Sequence, residues 1–279
     1  MTPRPQMMQS SAEFEIVKLT PTIGAEILGV DLSQDLRDDV IDAIYQTLLE
    51  NLVVFFRDQK LTPDQHKEFG RRFGELHIHP AVTGGVDSHP EIILIQADEK
   101  SKAGQVAEIW HTDSSCDATP PKASILYMHE VPTNGGGDTM FANMYAAYDA
   151  LSDSMKKFLE GLTAIHDGQA MLYGNPVALA QGKKQPPRTE HPVVATHPET
   201  GRKLLFVNGS YTTHIVQLSR RESDAVLAFI YRHIENPVFH GRFKWRPNSI
   251  AFWDNRCSQH RGIWDFFPHR RSAHRVTVS

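Results

Sequence analysis

The feature that most constrains this chain is a succession of short, β-rich apolar runs broken by glycine and proline. Leu52-Val53-Val54-Phe55-Phe56 is a continuous run of the kind expected for a strand buried on both faces. Phe14–Leu19 and Ile23–Val30 precede it, and Ile92–Ile95, Ser124–His129, Asp138–Phe141, Pro192–Thr196, Leu204–Val207, Ile250–Trp253 and Ser272–Val278 follow. So many short strands predict a β-sandwich or barrel-like core with helices outside it, an α/β chain in the broad sense. The helices announce themselves by spacing and capping. Asp39–Asn51 has helical periodicity, and Thr62-Pro63-Asp64-Gln65 is a capping box with proline at the first helical position, predicting a helix from Pro63 to Phe73. Ser219-Arg220-Arg221-Glu222 repeats the signal ahead of Ala225, Val226, Phe229 and Ile230, which fall on one helical face. The stretch Gly168–Pro192, rich in Gly, Gln, Pro and Lys, has no period and reads as a long surface loop, either an active-site lid or plain disorder.

With 279 residues and 40% hydrophobic composition the chain can bury one substantial core, so a single domain over 1–279 is expected. Its 29 basic and 33 acidic residues give a net charge of −4, no footprint for nucleic acid. No apolar run approaches the roughly 18 residues of a membrane span, and the opening MTPRPQMMQSS lacks a secretory core, so a cytoplasmic protein with no membrane partner is expected. Cys116 and Cys257 form no C-x-x-C pair and read as reduced, buried thiols.

Chemistry enters with His111-Thr112-Asp113. In extended backbone, residues i and i+2 point to the same side, so an imidazole and a carboxylate would converge. Two histidines and one carboxylate on one face of an octahedron leave the opposite positions open, as a non-haem iron(II) oxygenase requires. Spacing alone does not single this pair out. His89-Pro90-Glu91, His197-Pro198-Glu199 and His233-Ile234-Glu235 match the pattern equally well.

Context separates them. Trp110-His111-Thr112-Asp113, Gly135-Gly136-Gly137-Asp138-Thr139 and Trp253-Asp254-Asn255-Arg256-Cys257-Ser258-Gln259-His260 together resemble the taurine dioxygenase family of 2-oxoglutarate-dependent oxygenases. The likeness extends from Leu19-Thr20-Pro21 through Arg72-Phe73-Gly74-Glu75-Leu76-His77-Ile78-His79-Pro80 to His274-Arg275-Val276-Thr277. It implies a double-stranded β-helix core, a cupin-like jelly roll with flanking helices. It also implies iron(II) held by His111, Asp113 and His260, with 2-oxoglutarate and dioxygen as cosubstrates. Halogenating relatives carry a small residue in place of the carboxylate, so Asp113 points to hydroxylation.

Arg271 and Arg275 lie four apart in a strand-like segment, about 13 Å along the backbone at roughly 3.3 Å per residue, too far for one carboxylate to engage both. By composition alone, beside Arg270, they read as a solvated basic patch. The resemblance instead pairs Arg271 and Thr139 with the far carboxylate of 2-oxoglutarate, a task for which a planar guanidinium fork is suited. It assigns Arg275 and His79 to the anionic group of the prime substrate and Tyr211 to the pocket wall. Val82, Ala107 and Leu172 stand near positions where the taurine enzyme has Tyr, Asn and Phe, and the loss of two polar contacts argues for a more apolar acid than taurine. The extra glycine of Gly135-Gly136-Gly137 has no explanation in sequence.

The resemblance therefore implies hydroxylation of a small anionic organic substrate, a sulfonate, sulfate ester or carboxylate, with C–S or C–O cleavage where the oxidised carbon bears the heteroatom. An aryloxyalkanoate-type dioxygenase, a zinc hydrolase using the same ligand types, and a non-catalytic cupin-like metal-binding protein are the other readings. Relatives commonly form dimers or tetramers, so a homo-oligomer is expected.

Overall fold

The computed structural model describes residues 14–78, 85–86, 88–101, 108–169 and 186–279. The run predicted as a doubly buried strand is β3 (Val53–Phe56), with every residue buried. Successive side chains enter different cores: Val53 and Phe55 point to one, Val54 and Phe56 to the other.

β3 sits within an eight-stranded sheet. From edge to edge this sheet runs through β1 (Glu15–Lys18), β2 (Ala25–Leu28), β3, β14 (Ser249–Asp254), β6 (Ala123–Glu130), β16 (Arg271–Val278), β5 (His89–Ala97) and β4 (Gly85–Val86). Among the described residues of this sheet only the β2–β3 pairing is parallel. Its outer face is covered by α1 (Asp38–Asn51) and α2 (Pro63–Arg71), whose Ile44, Leu48 and Phe69 pack on Val54, Phe56, Ile125 and Phe252. The Thr62/Gln65 capping box is formed in full. α2 stops two residues before the expected Phe73, whose amide turns back to the Gly70 carbonyl at 3.0 Å.

The inner face meets a smaller sheet in which β7 (Thr139–Asn143) lies between β13 (His240–Phe243) and β15 (Ser258–Gly262). The junction is aromatic: Phe55 stacks on Phe243 with centroids 3.8 Å apart and meets Phe141 edge-on at 5.6 Å. A third sheet joins β8 (Thr163–Asp167) to β9 (Arg188–Pro192) and β12 (Thr212–Ile215), and β10 (Val194–Thr196) pairs with β11 (Lys203–Leu205). The segment read as loop over 168–192 thus ends in a strand, because Arg188–Pro192 completes the ladder of Thr163–Asp167. Residues 170–185 lie outside the described residues.

Two short helices, α3 (Met144–Asp149) and α4 (Asp153–Leu159), follow β7. α5 (Arg220–Ile234) begins at the Ser219/Glu222 capping box as expected, but its buried face differs from the predicted one. Ser223, Leu227, Ile230 and Ile234 are buried, whereas Phe229 is 37% exposed. The reason is Ser223, whose hydroxyl accepts the Ile215 amide at 2.8 Å and ties that face to β12. Among the described residues no helix is long and apolar enough to cross a membrane.

Candidate active site

The site lies between the inner face of the large sheet and the β13–β7–β15 sheet. His111 and His260 exchange both backbone hydrogen bonds, at 3.1 and 2.8 Å, an isolated antiparallel bridge that clamps the segment before the Asp113 turn to β15. Their imidazoles stand 4.2 Å apart. The i, i+2 expectation holds: between His111 and Asp113, Thr112 turns away and its hydroxyl lies 2.9 Å from the Asn255 carbonyl and 2.6 Å from that of Ser258. Ligand-type atoms of His111, Asp113 and His260 all fall within 4.8 Å of one another, and all three residues are buried.

The protonation states suit a cation. The Nδ1 of His111 lies 2.7 Å from the Ile109 carbonyl, which can only accept, so Nδ1 carries the proton and Nε2 keeps a lone pair. Burial lowers the pKa of both imidazoles, His260 to about 3, where the neighbouring His111 adds to the effect. Nδ1 of His260 is buried without a hydrogen-bond partner among the described residues. For Asp113, burial alone would favour the neutral acid, but the Arg275 guanidinium, the two imidazoles and the Ser124 hydroxyl outweigh it and hold the carboxyl well below the usual range. Two neutral imidazoles and one carboxylate form a donor set that fits iron(II).

The rival histidine pairs do not assemble in this way. His197 donates to Asp254 at 3.1 Å while its Nδ1 accepts the amides of Glu199 and Thr200. Asp254 also receives Arg256 on both oxygens, at 2.9 and 2.6 Å, so although ligand-type atoms of His197, Asp254 and Cys257 also lie within 4.8 Å of one another, the carboxylate there is already engaged by the imidazole and the guanidinium. Glu91 pairs with Arg71, and His233 donates to the Ala147 carbonyl at 2.7 Å. Both cysteines are free and buried, as read.

Arg271 and Arg275 leave β16 on one face, the inner one, and are not the surface patch that composition suggested; Arg270 alone pairs at the surface, with Glu130. Nε of Arg271 donates to the Gly137 carbonyl at 3.1 Å, and the guanidinium lies 5.9 Å from the Trp245 ring centroid. Among the described residues no carboxylate lies within 4.0 Å of it. Burial pushes its pKa down to about 10, which leaves it charged at neutral pH and short of an anion. Thr139 is buried beside it. Its hydroxyl accepts from the Trp245 indole at 3.0 Å, which leaves the hydroxyl proton to donate. This corner can hold a carboxylate.

The glycine run acquires a reason here. Gly137 has φ +81°, and a Cβ on it would come within 3.1 Å of Cδ of Arg271; one on Gly136 would meet Oδ1 of Asp265 at 2.6 Å. The loop packs glycine backbone directly against both.

Arg275 is 15% exposed in its side chain, and Nη1 donates to Oδ1 of Asp113 at 2.6 Å. Tyr211 is buried next to Asp113: its hydroxyl accepts the Ser114 amide at 3.3 Å, and burial with the nearby Asp113 carboxylate raises its pKa, keeping the phenol protonated. His79, Val82, Ala107 and Leu172 lie outside the described residues. Sequence reading missed Trp245 and Ser124, an isolated tryptophan and a serine within a strand, neither of which carries a pattern that marks a site.

The chain matches the family profile described as "Taurine catabolism dioxygenase TauD, TfdA family" over residues 15–277. It is 34% identical over 281 residues to the alpha-ketoglutarate-dependent sulfonate dioxygenase of Saccharomyces cerevisiae, covering 96% of this chain and 68% of that one. It is also 34% identical over 279 residues to the alkylsulfatase of Acinetobacter baylyi, with 96% and 85% covered. The crystal structure of a taurine dioxygenase from Burkholderia xenovorans superposes with a TM-score of 0.83 at 37% identity, covering 96% of this chain and 89% of the other.

Proposed function

The chain belongs to the TauD, TfdA family of 2-oxoglutarate-dependent dioxygenases, and we propose that it hydroxylates a small anionic organic substrate with iron(II) held by His111, Asp113 and His260. The observation that carries this reading is the pairing of two features: a buried set of two neutral imidazoles and a carboxylate, and, on the same sheet face, a partly buried Arg271 with no carboxylate within 4.0 Å among the described residues. The architecture is read as a double-stranded β-helix, in which the large sheet and the β13–β7–β15 sheet enclose the site.

Iron(II), when bound, supplies the oxidation by coupling dioxygen reduction to decarboxylation of 2-oxoglutarate, yielding succinate, carbon dioxide and a hydroxylated substrate. The protein binds and orients. Arg271 and Thr139 receive the C5 carboxylate, the guanidinium offering a charge-assisted donor fork and the hydroxyl a further donor. Arg275, with His79, takes the anionic group of the substrate, so the reacting carbon is aligned by a charge some distance from it. Tyr211, neutral and buried, forms wall beside Asp113. Where the hydroxylated carbon carries oxygen or sulfur as a leaving group, the adduct collapses to a carbonyl and releases sulfate or sulfite.

The sulfonate dioxygenase and alkylsulfatase relatives favour a sulfur oxyanion as the group bound at Arg275. The test is succinate formation from 2-oxoglutarate with iron(II) and ascorbate, screened against sulfonates, sulfate esters and phenoxyalkanoates. Stimulation by the first two classes is expected; stimulation by phenoxyalkanoates alone would replace the sulfur oxyanion with a carboxylate.

A further inference from the structure

The Asp113 carboxylate is held from two sides. Arg275 donates to Oδ1 at 2.6 Å, and the Ser124 hydroxyl donates to Oδ2 at 2.7 Å. The two donors differ in permanence. Arg275 retains 15% exposure and is the residue read above as receiving the substrate anion, whereas Ser124 is wholly buried in β6.

Ser124 is itself held by a chain of hydrogen bonds whose direction is fixed at its far end. The Trp253 indole N–H can only donate, and it reaches Oδ1 of Asn255 at 2.8 Å. With its oxygen so engaged, Asn255 presents Nδ2 to the Ser124 oxygen at 3.0 Å. Having accepted that bond, the serine hydroxyl has one proton to give, and Asp113 takes it. Backbone contacts keep the members in place. Ser124 sits opposite Trp253 in the β6–β14 ladder, the Asn255 amide bonds to the Lys122 carbonyl at 3.0 Å, and Thr112 reaches the Asn255 carbonyl from the segment that carries Asp113.

We propose that Ser124 and Asn255 are positioning residues of the metal centre, fixing the Asp113 carboxylate by a one-way hydrogen-bond relay that starts at Trp253. This inference rests on the reading of His111, Asp113 and His260 as metal ligands. Each carboxylate oxygen accepts one hydrogen bond and keeps a lone pair for the metal. The relay defines which way that pair points, and it remains when an anion draws Arg275 away. Partners of this kind typically alter metal affinity by about 10–100-fold.

The test is cobalt(II) titration of the full chain, without 2-oxoglutarate or substrate, following the visible absorption of the bound ion. Ser124→Val and Ser124→Thr have equal bulk and differ by the hydroxyl. The valine variant should bind cobalt(II) about 10–100-fold more weakly, with an altered visible spectrum, while the threonine variant stays near wild type. Equal affinity and equal spectra for Ser124→Val and wild type would overturn the relay. If neither branched residue folds at this buried position, Asn255→Ala decides: weaker cobalt(II) binding supports the relay, and unchanged binding rejects it. Asp113→Ala separates the two levels. Loss of cobalt(II) there without loss in Ser124→Val rejects the relay alone, whereas retention of wild-type affinity rejects the metal centre and the relay with it.

Discussion

Nη1 of Arg275 stands 2.6 Å from Oδ1 of Asp113, a close ion pair whose side chains are 15% and 7% exposed. Removing one member of a buried pair costs about 3–5 kcal/mol, chiefly because the other charge is left uncompensated. Arg275→Gln should therefore destabilise the metal-free protein by an amount of that order. A divalent cation supplies the missing positive charge, so manganese(II) should stabilise the variant more than the wild type in urea unfolding. Equal stabilisation of both proteins would show that the pair carries little of the energy at Asp113.

At the other end of the same strand face, Arg271→Ala removes a partly buried guanidinium from the proposed 2-oxoglutarate corner. Truncating one side of a buried charge pair costs at least about 2 kcal/mol, so KM for 2-oxoglutarate should rise by about thirtyfold or more. KM for the prime substrate should move little, which steady-state kinetics with each varied in turn will reveal.

Gly137→Ala offers a gentler perturbation of that corner. The residue has φ +81°, and its new Cβ would press on Cδ of Arg271 at 3.1 Å. Loss of about 1 kcal/mol of stability is expected from the left-handed backbone, together with a raised KM for 2-oxoglutarate. Isothermal titration of 2-oxoglutarate into the manganese(II) form checks the second effect independently of turnover.

Acid sensitivity should come from buried histidines away from the metal. Burial, with repulsion from His274 and His129, lowers the His66 pKa to about 3 against the bond from Nε2 to the Ile125 carbonyl, and Nδ1 is buried without a partner among the described residues. The folded protein keeps His66 neutral while the unfolded chain protonates near pH 6.5. Unfolding then takes up a proton between those values, so stability is full above pH 6.5 and falls as pH drops toward 3, by roughly 1.4 kcal/mol per pH unit for this residue. His66→Gln should flatten the stability profile between pH 6.5 and 4.5 in denaturant titrations. An unchanged slope would mean that His66 does not contribute.

What could be read in sequence follows from which residues had a periodic reason to be where they are. Val53–Phe56 is apolar throughout because both faces are buried, and the capping boxes at Thr62 and Ser219 are local rules that tertiary structure leaves alone. Ser258–Gly262 and Thr212–Ile215 carry no strand signal in sequence because polar residues fill them; His260 faces the site and Thr213 donates to the Ile165 carbonyl, so apolar alternation is lost. The buried face of α5 is not legible from apolar spacing because a buried serine, Ser223, anchors it. In the site, spacing makes His111 and Asp113 legible but does not separate them from His197 and Glu199; the flanking motifs do, and the fold gives His197 a different carboxylate, that of Asp254. Ser124 and Trp245 act through contacts from distant strands, a relation that spacing along the chain does not encode.

The central claim, that His111, Asp113 and His260 hold the iron of a 2-oxoglutarate-dependent oxygenase, is tested most directly by substrate-stimulated succinate formation in wild type and Asp113→Ala under iron(II). The account predicts stimulation by a sulfonate or sulfate ester in the wild type and its loss in the variant. Full substrate-dependent succinate formation by Asp113→Ala would contradict it.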